Sequence, residues 1–363
     1  MVIWMLIFGC SSTKAPDPEV QTSADDTSTT QTTDTSEDTD TDDSDSPDTG
    51  TTETGTTDTG TQDTGGDTET DPPPPQWAQL SVGETHNCAL TEDGAGYCWG
   101  YGAAGQNEVP DIALQEITAG LWHTCGIDLE GQVHCWGCNG MMSDVGQCDS
   151  PTEVNTFSQV TAGSYHSCAL QADGAVLCWG CEGNRDHGQC DVPTGSFTKV
   201  DAGVEFTCAL TQEGSIECWG CNGSSFPEVC TPPTGEYTEI ISGNSNACAI
   251  RTDGFVDCWG RDTFNESSPP AEIMTTLDLG HVHGCGLTTN NETSCWGCNG
   301  GPEIDMGQCD TPEGSFIAIG GGTAHSCALN QNEVHCWGCG DGTWQFDNGQ
   351  CNNVSVLDVD FGQ

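Results

Sequence analysis

The chain has 363 residues, of which 56 are Asp or Glu and only 5 are Lys or Arg, a formal net charge of −51. A chain so poor in cations cannot neutralise phosphates, which excludes nucleic acid as a partner and disfavours charge-driven adsorption to anionic lipid. Its 25 cysteines argue against a reducing compartment, and no apolar run approaches the ~20 residues of a membrane-spanning helix.

Residues 2–9, VIWMLIFG, are an apolar stretch ending in a small residue before Cys10. Ile7-Phe8-Gly9-Cys10 resembles a bacterial lipobox, with one departure: no Lys or Arg precedes the apolar run. The resemblance implies a lipoprotein signal peptide over 1–10, lipidation of Cys10 and, with Ser11 next, sorting to the outer membrane, surface-exposed or secreted.

Residues 11–75 hold 18 acidic residues, one basic residue (Lys14) and a closing run from Pro72 to Pro75. Such a segment buries too little apolar area to offset its backbone entropy, so a disordered Thr/Asp-rich tether is expected, reaching roughly 45 Å as a flexible coil. Asp48-Thr49-Gly50 and Asp58-Thr59-Gly60 copy an aspartic-protease triplet, but a low-complexity tract gives them no frame.

From residue 76 to 363 a period appears. CWG recurs at Trp99, Trp136, Trp179, Trp219, Trp259, Trp296 and Trp337, each preceded by a Cys at 88, 125, 168, 208, 248, 285 and 327. The steps of about 40 residues indicate a propeller or solenoid. In the copy Phe157–Gly180, a short apolar strand ends at Gly163, and two further β-type runs flank Ala172-Asp173-Gly174, a hairpin signature. The order of apolar strand, Gly-x-x-His, Ala-Leu, Asp-Gly, Trp-Gly and a loop ending Gly-Gln resembles the repeat of the regulator of chromosome condensation family. That resemblance implies an all-β, seven-bladed propeller of antiparallel blades. Blades four and five depart, with Phe206 and Asn246 in place of His and no Gly-Gln. A terminal copy, Val356, Val359, Phe361 and Gly362, matches the spacing of Trp77, Leu80, Val82 and Gly83, and is expected to close the ring on blade one.

Cys10 aside, 24 cysteines remain. Across the hairpin turns, Cys88 falls opposite Cys98, Cys125 opposite Cys135, Cys168 opposite Cys178, Cys208 opposite Cys218, Cys248 opposite Cys258, Cys285 opposite Cys295 and Cys327 opposite Cys336. Five more pairs bracket the loops: Cys138–Cys148, Cys181–Cys190, Cys221–Cys230, Cys298–Cys309 and Cys339–Cys351. In blades one and five both loop cysteines vanish together, Tyr101 and Arg261 standing at the opening position, while the hairpin pair stays. Two independent disulfides per blade explain this. The rival, a Cys₄ zinc site, would leave those blades half a site.

His86, His123, His166, His283 and His325 recur at one position; the family resemblance implies a framework hydrogen bond, and the Trp positions read as packing between blades. GLWHT around Trp122 is similar to the plant UV-B photoreceptor branch, which pairs its Trp with nearby Arg, whereas this region holds only four basic residues. No catalytic motif, cofactor or metal site is expected. Met141, Met142, Phe226, Ile304, Met306, Trp344 and Phe346, apolar side chains in the stapled loops, are the candidate partner contacts. The leading expectation is a monomeric, lipid-anchored, non-catalytic propeller binding a protein or glycan. The alternatives are an inhibitor of a secreted hydrolase, similar to the β-lactamase inhibitory propeller of this family, and an envelope enzyme acting on glycans through carboxylates in the ring mouth. Nucleotide exchange on a small GTPase, the founding family activity, conflicts with an oxidising compartment.

Overall fold

The computed structural model describes residues 74–139, 144–152, 156–301, 304–340 and 348–359. The signal peptide with Cys10, the tether up to residue 73, and Met141, Met142, Trp344 and Phe346 lie outside the described residues. Each repeat folds as one antiparallel sheet. Blade one is β1 (Trp77–Val82), β2 (His86–Thr91) and β3 (Gly96–Gly100); blade two is β4 (Leu114–Ala119), β5 (Thr124–Asp128) and β6 (Val133–Trp136). Blade three is β7 (Phe157–Ala162), β8 (Ser167–Gln171) and β9 (Val176–Trp179); blade four is β10 (Phe197–Ala202), β11 (Thr207–Thr211) and β12 (Ile216–Trp219). Blade five is β13 (Tyr237–Ser242), β14 (Asn246–Arg251) and β15 (Val256–Gly260); blade six is β16 (Met274–Leu279), β17 (His283–Thr288) and β18 (Thr293–Gly297). Blade seven adds a fourth strand: β19 (Ala318–Gly321), β20 (His325–Leu329), β21 (Glu333–Gly338) and β22 (Val354–Ser355).

The inner strands touch their neighbours in sequence, and β1 touches β19, so the sheets close into a seven-bladed β-propeller. The middle strands are buried along nearly their whole length, HNCALT in β2 being buried at all six positions, because a blade lies against each face. The core is therefore a set of layers between blades. Cys88, Leu90 and Cys98 of blade one pack with Leu114, Ile117 and Ala119 of blade two, and equivalent clusters follow round the ring. At the hairpin turn Gly94 takes φ 87°, and its carbonyl accepts the Leu114 amide of the next blade at 2.9 Å. A Cβ there would lie 2.6 Å from the Leu114 carbonyl oxygen, so the turn demands glycine for both conformation and space.

All twelve cysteine pairs named above are bonded. Hairpin pairs such as Cys88–Cys98 join directly opposed residues with Cα atoms 4.1 Å apart, whereas a loop pair such as Cys138–Cys148 spans 6.1 Å.

The ring closes differently from the sequence expectation. Val354 and Ser355 pair with Val334 and Glu333 as the outer strand of blade seven, and do not add an inner strand to blade one. The Ser355 hydroxyl then accepts the Leu357 amide and turns the chain into a short 3₁₀ turn, Val356–Asp358. Blade one already has β1 as its inner strand, fixed by Trp77 N donating to Gln331 O at 2.9 Å, so the inner position expected for the terminal copy is already filled. Val356 instead fills the closing layer with Trp77, Val82, Trp99, Leu329 and Val334. Phe361 and Gly362 lie outside the described residues.

Candidate functional site at the channel mouth

Inner and outer strands run in the same direction, with the middle strand antiparallel between them. Both therefore end on one face. The short turns after the inner strands and the stapled loops after the outer strands meet there, around the mouth of the central channel.

The Gly-x-x-His motif builds this rim. A Cβ on Gly163 would meet His166 Cε1 at 2.7 Å and the Gly203 carbonyl oxygen at 2.4 Å, so the glycine makes room for the ring and for the next blade's turn. Each imidazole reaches the following blade. His86 Nε2 bonds Thr124 Oγ1 at 2.8 Å, His123 bonds Ser167 at 2.9 Å, His166 bonds Thr207 at 2.9 Å and His283 bonds Ser326 at 2.8 Å. Those hydroxyls donate to the carbonyls of Gln106, Gln147, Gln189 and Gln308, so each accepts the proton of a neutral Nε2–H tautomer. At the seam His325 bonds Asn87 Oδ1, and Asn87 donates to Gln350 O. Burial holds the rings neutral, lowering His86, His166 and His283 to about 3 and His123 to about 4. The framework role implied for the histidines is thus an interblade hydrogen bond.

The loop glutamine was missed as a hub, although the recurring Gly-Gln was the signal for it. Its carbonyl also accepts the next blade's indole, Trp136 from Gln106 and Trp179 from Gln147, both at 3.0 Å. Blade five uses Asn265, at φ 66°, and buried Glu266 in the same places, and blade four uses Val229, whose carbonyl accepts Trp259 Nε1. Where the histidine is lost, the hydroxyl is lost too: beyond Phe206 stands Ala247, and beyond Asn246 stands Gly284.

Arg261, at the missing-cysteine position of blade five, supplies a non-covalent staple. Its Nε lies 2.6 Å from Glu266 Oε1, and Nη2 donates to His281 O. In blade one Tyr101 packs edge-on against Trp122, ring centroids 5.8 Å apart.

The channel holds a cavity of about 170 Å³ lined by Ser81, Glu84, Thr161, Asp201, Asp278 and His281 among others. Neighbouring inner strands diverge, leaving backbone amides that side chains satisfy from the preceding blade. Gln79 both accepts from Ile117 N and donates to Ile117 O; Ser81 accepts from Ala119 N; Asp201 accepts from Ser242 N; Asp278 accepts from Gly321 N at 3.1 Å. Burial raises Asp201 to about 6 and Asp278 to about 7, and raises Glu84, which accepts a 3.0 Å bond from Ser164 two blades away. Glu116, bonded to Val160 N, rises to about 8 for the same reason. Asp201, Asp278 and Glu116 thus each accept a backbone amide of the next blade, whereas Glu84 is held by the Ser164 hydroxyl.

Of the candidate contacts, Phe226 is half-buried beside the 3₁₀ turn Pro227–Cys230, with Arg261 Cζ 5.9 Å from its ring centroid. Ile304 is half-buried, and Gly300 packs close enough that a Cβ there would clash with it. Met306 is only 8% exposed, because its backbone closes the loop onto Gln308 and Gly340 and turns the side chain inward, so it is withdrawn as a contact. The rim aromatics Trp122 and Tyr165, both half-buried, were not among the sequence candidates; they lie in the inner turns, outside the stapled loops.

Residues 77–106, 115–141, 157–189 and 197–225 match the family model described as the regulator of chromosome condensation (RCC1) repeat. Among curated proteins no sequence match was found. The entire ectodomain of the receptor kinase CR4 from Physcomitrella patens is 25% identical, with a TM-score of 0.59 over 73% of this chain and 74% of that one. The CRINKLY WD40 ectodomain of the Arabidopsis thaliana receptor kinase ACR4 is 23% identical, with a TM-score of 0.58 over 73% and 97%. Prp20p from Saccharomyces cerevisiae, studied with Gsp1p and histones, is 16% identical, with a TM-score of 0.57 over 69% and 82%.

Proposed function

Since the chain carries regulator of chromosome condensation repeats closed into a ring, we propose that it is a non-catalytic binding propeller that grips a protein partner on the channel-mouth face. One observation carries this reading: the inner turns and outer loops of the first four blades set Tyr101, Trp122, Tyr165 and Phe226 on one rim, with Tyr101 packed on Trp122 and disulfide-stapled loops bringing Arg185 to Tyr165 and holding Phe226. Aromatic groups on rigid supports are the chemistry of binding hot spots, because little side-chain entropy remains to be lost on association. The likeness to a receptor-kinase ectodomain and the twelve disulfides support an extracellular or envelope location.

The lipid anchor belongs to the same proposal. Lipidation at Cys10 would hold the propeller at the outer membrane through the tether. Metabolic labelling with a fatty-acid analogue tests it: label on the wild type and none on Cys10→Ser is expected, and an unlabelled wild type overturns it.

The binding reading is tested by capture from the host envelope and medium on the full chain. A protein retained by wild type, lost at least tenfold on Trp122→Ala with Tyr165→Ala, and kept on Leu129→Ser at the opposite hairpin edge is expected. Equal retention by the three proteins, or none by wild type, overturns the reading.

A further inference from the structure

The described cations are four, and three have carboxylate partners. Lys199 pairs with Glu239, Arg251 with Asp253, and Arg261 with Glu266. Arg185 has no ion pair among the described residues, in a chain that carries 56 acidic side chains. Its guanidinium lies over the Tyr165 ring, Cζ 4.2 Å from the centroid.

Its position is fixed from several sides. Arg185 ends the 3₁₀ turn Gly183–Arg185 inside the Cys181–Cys190 loop, and its carbonyl accepts Gln189 Nε2 at 2.6 Å. Two residues on, His187 bonds Asn222 O through Nδ1 at 2.8 Å and meets Glu205 through Nε2 at 3.4 Å. The nearby acid of the next blade's turn is thereby engaged by His187. The Tyr165 ring backs the guanidinium, whose N–H fork makes no hydrogen bond or ion pair among the described residues, an arrangement suited to a bidentate carboxylate. On the next turn round the rim Trp122 adds apolar surface, and Leu121 N bonds Gly163 O at 3.4 Å to hold the two turns together.

We propose that Arg185 on Tyr165 is a carboxylate-reading position of the mouth face, which takes one Asp, Glu or terminal carboxylate flanked by an apolar side chain on an otherwise basic partner protein. This rests on the binding reading above. The overall charge of −51 steers cationic surfaces toward the chain and repels acidic ones. An arginine without an ion pair among the described residues then discriminates among basic partners by requiring a carboxylate at one place, since a partner without it leaves the desolvated guanidinium unpaired.

The test uses the ¹⁵N-labelled full chain, whose three arginines give three Nε–Hε signals assigned through Arg185→Gln. Phenylacetate is titrated against phenylacetamide, its neutral counterpart, at constant ionic strength. The Arg185 signal is expected to shift with phenylacetate and not with phenylacetamide, while Arg251 and Arg261 stay in place. Tyr165→Leu is expected to diminish that shift, with the Arg261 signal unmoved as evidence of an intact fold. An unmoved Arg185 signal, an equal response to the amide, or an equal response at Arg251 overturns the proposal. If Arg185 is silent while Trp122→Ala with Tyr165→Ala still abolishes capture, this inference alone fails; if capture itself fails, the binding reading fails.

Discussion

At the residue scale, the interblade relay from imidazole to hydroxyl to glutamine carbonyl makes one test direct. Phe206→His would bury an imidazole whose Nε2 has only the Ala247 methyl ahead of it, and is expected to cost about 1–3 kcal/mol, the penalty of an unsatisfied buried polar group. Adding Ala247→Thr restores the hydroxyl and should recover much of that loss, so a double-mutant cycle by denaturant unfolding is expected to give a favourable coupling; additivity contradicts the relay. The pH dependence has a sign that follows from two opposed sets of groups. Histidines with lowered native values bind protons more readily when unfolded, so acidification below 6.5 destabilises through them, down to about 3. Raised carboxylates bind protons more readily when folded, so acidification from about 8 stabilises through Glu116, then Asp278 and Asp201. Stability measured by urea unfolding is expected to rise from pH 8 toward about 6.5 and to fall beyond it. A monotonic curve across that span contradicts the assignment.

At the element scale, the hairpin and the loop hold different things. The hairpin bridge Cys208–Cys218 ties strands already paired in register, and the loop bridge Cys221–Cys230 fixes a segment with little backbone pairing of its own. Cys221→Ser with Cys230→Ser is expected to open residues 221–230 to proteolysis while leaving the blades intact, whereas Cys208→Ser with Cys218→Ser lowers global stability by roughly 2–3 kcal/mol. Limited proteolysis and unfolding curves separate the two, and identical behaviour of both variants would refute the distinction. Much of this was legible in the sequence, because the hairpin Cys pair and the Trp-Gly end are local signals that repeat seven times, and a turn Gly marks five of the hairpins. The closing strand differs from the sequence expectation because Val356 and Val359 copy the apolar spacing of β1, and spacing carries no information on whether the inner position of a blade is already filled. The rim aromatics and Arg185 escaped because their significance comes from neighbours in other segments, Tyr165 being 20 residues from Arg185 and Trp122 belonging to another blade. The inward turn of Met306 was likewise invisible, since it depends on hydrogen bonds to Gln308 and Gly340.

At the scale of the whole molecule, two kinds of bonding are kept apart. Interactions between blades are all non-covalent: apolar layers, the histidine relay, and channel side chains that cap the next inner strand. The covalent cross-links all lie within a blade, joining cysteines only 9 to 12 residues apart. A quantitative thiol assay on the denatured, unreduced chain is therefore expected to find none of the 24 repeat cysteines, and full reduction to reveal all of them. Free thiols confined to the repeats before reduction would contradict the pairing.

That short range has a bearing on how the protein is made. A bridge spanning about ten residues can be oxidised as soon as its own hairpin or loop has left the translocation channel, before any later blade exists. Mispairing with a distant cysteine is then a race that the correct neighbour wins by proximity, so maturation would call for an oxidant much more than for a disulfide isomerase.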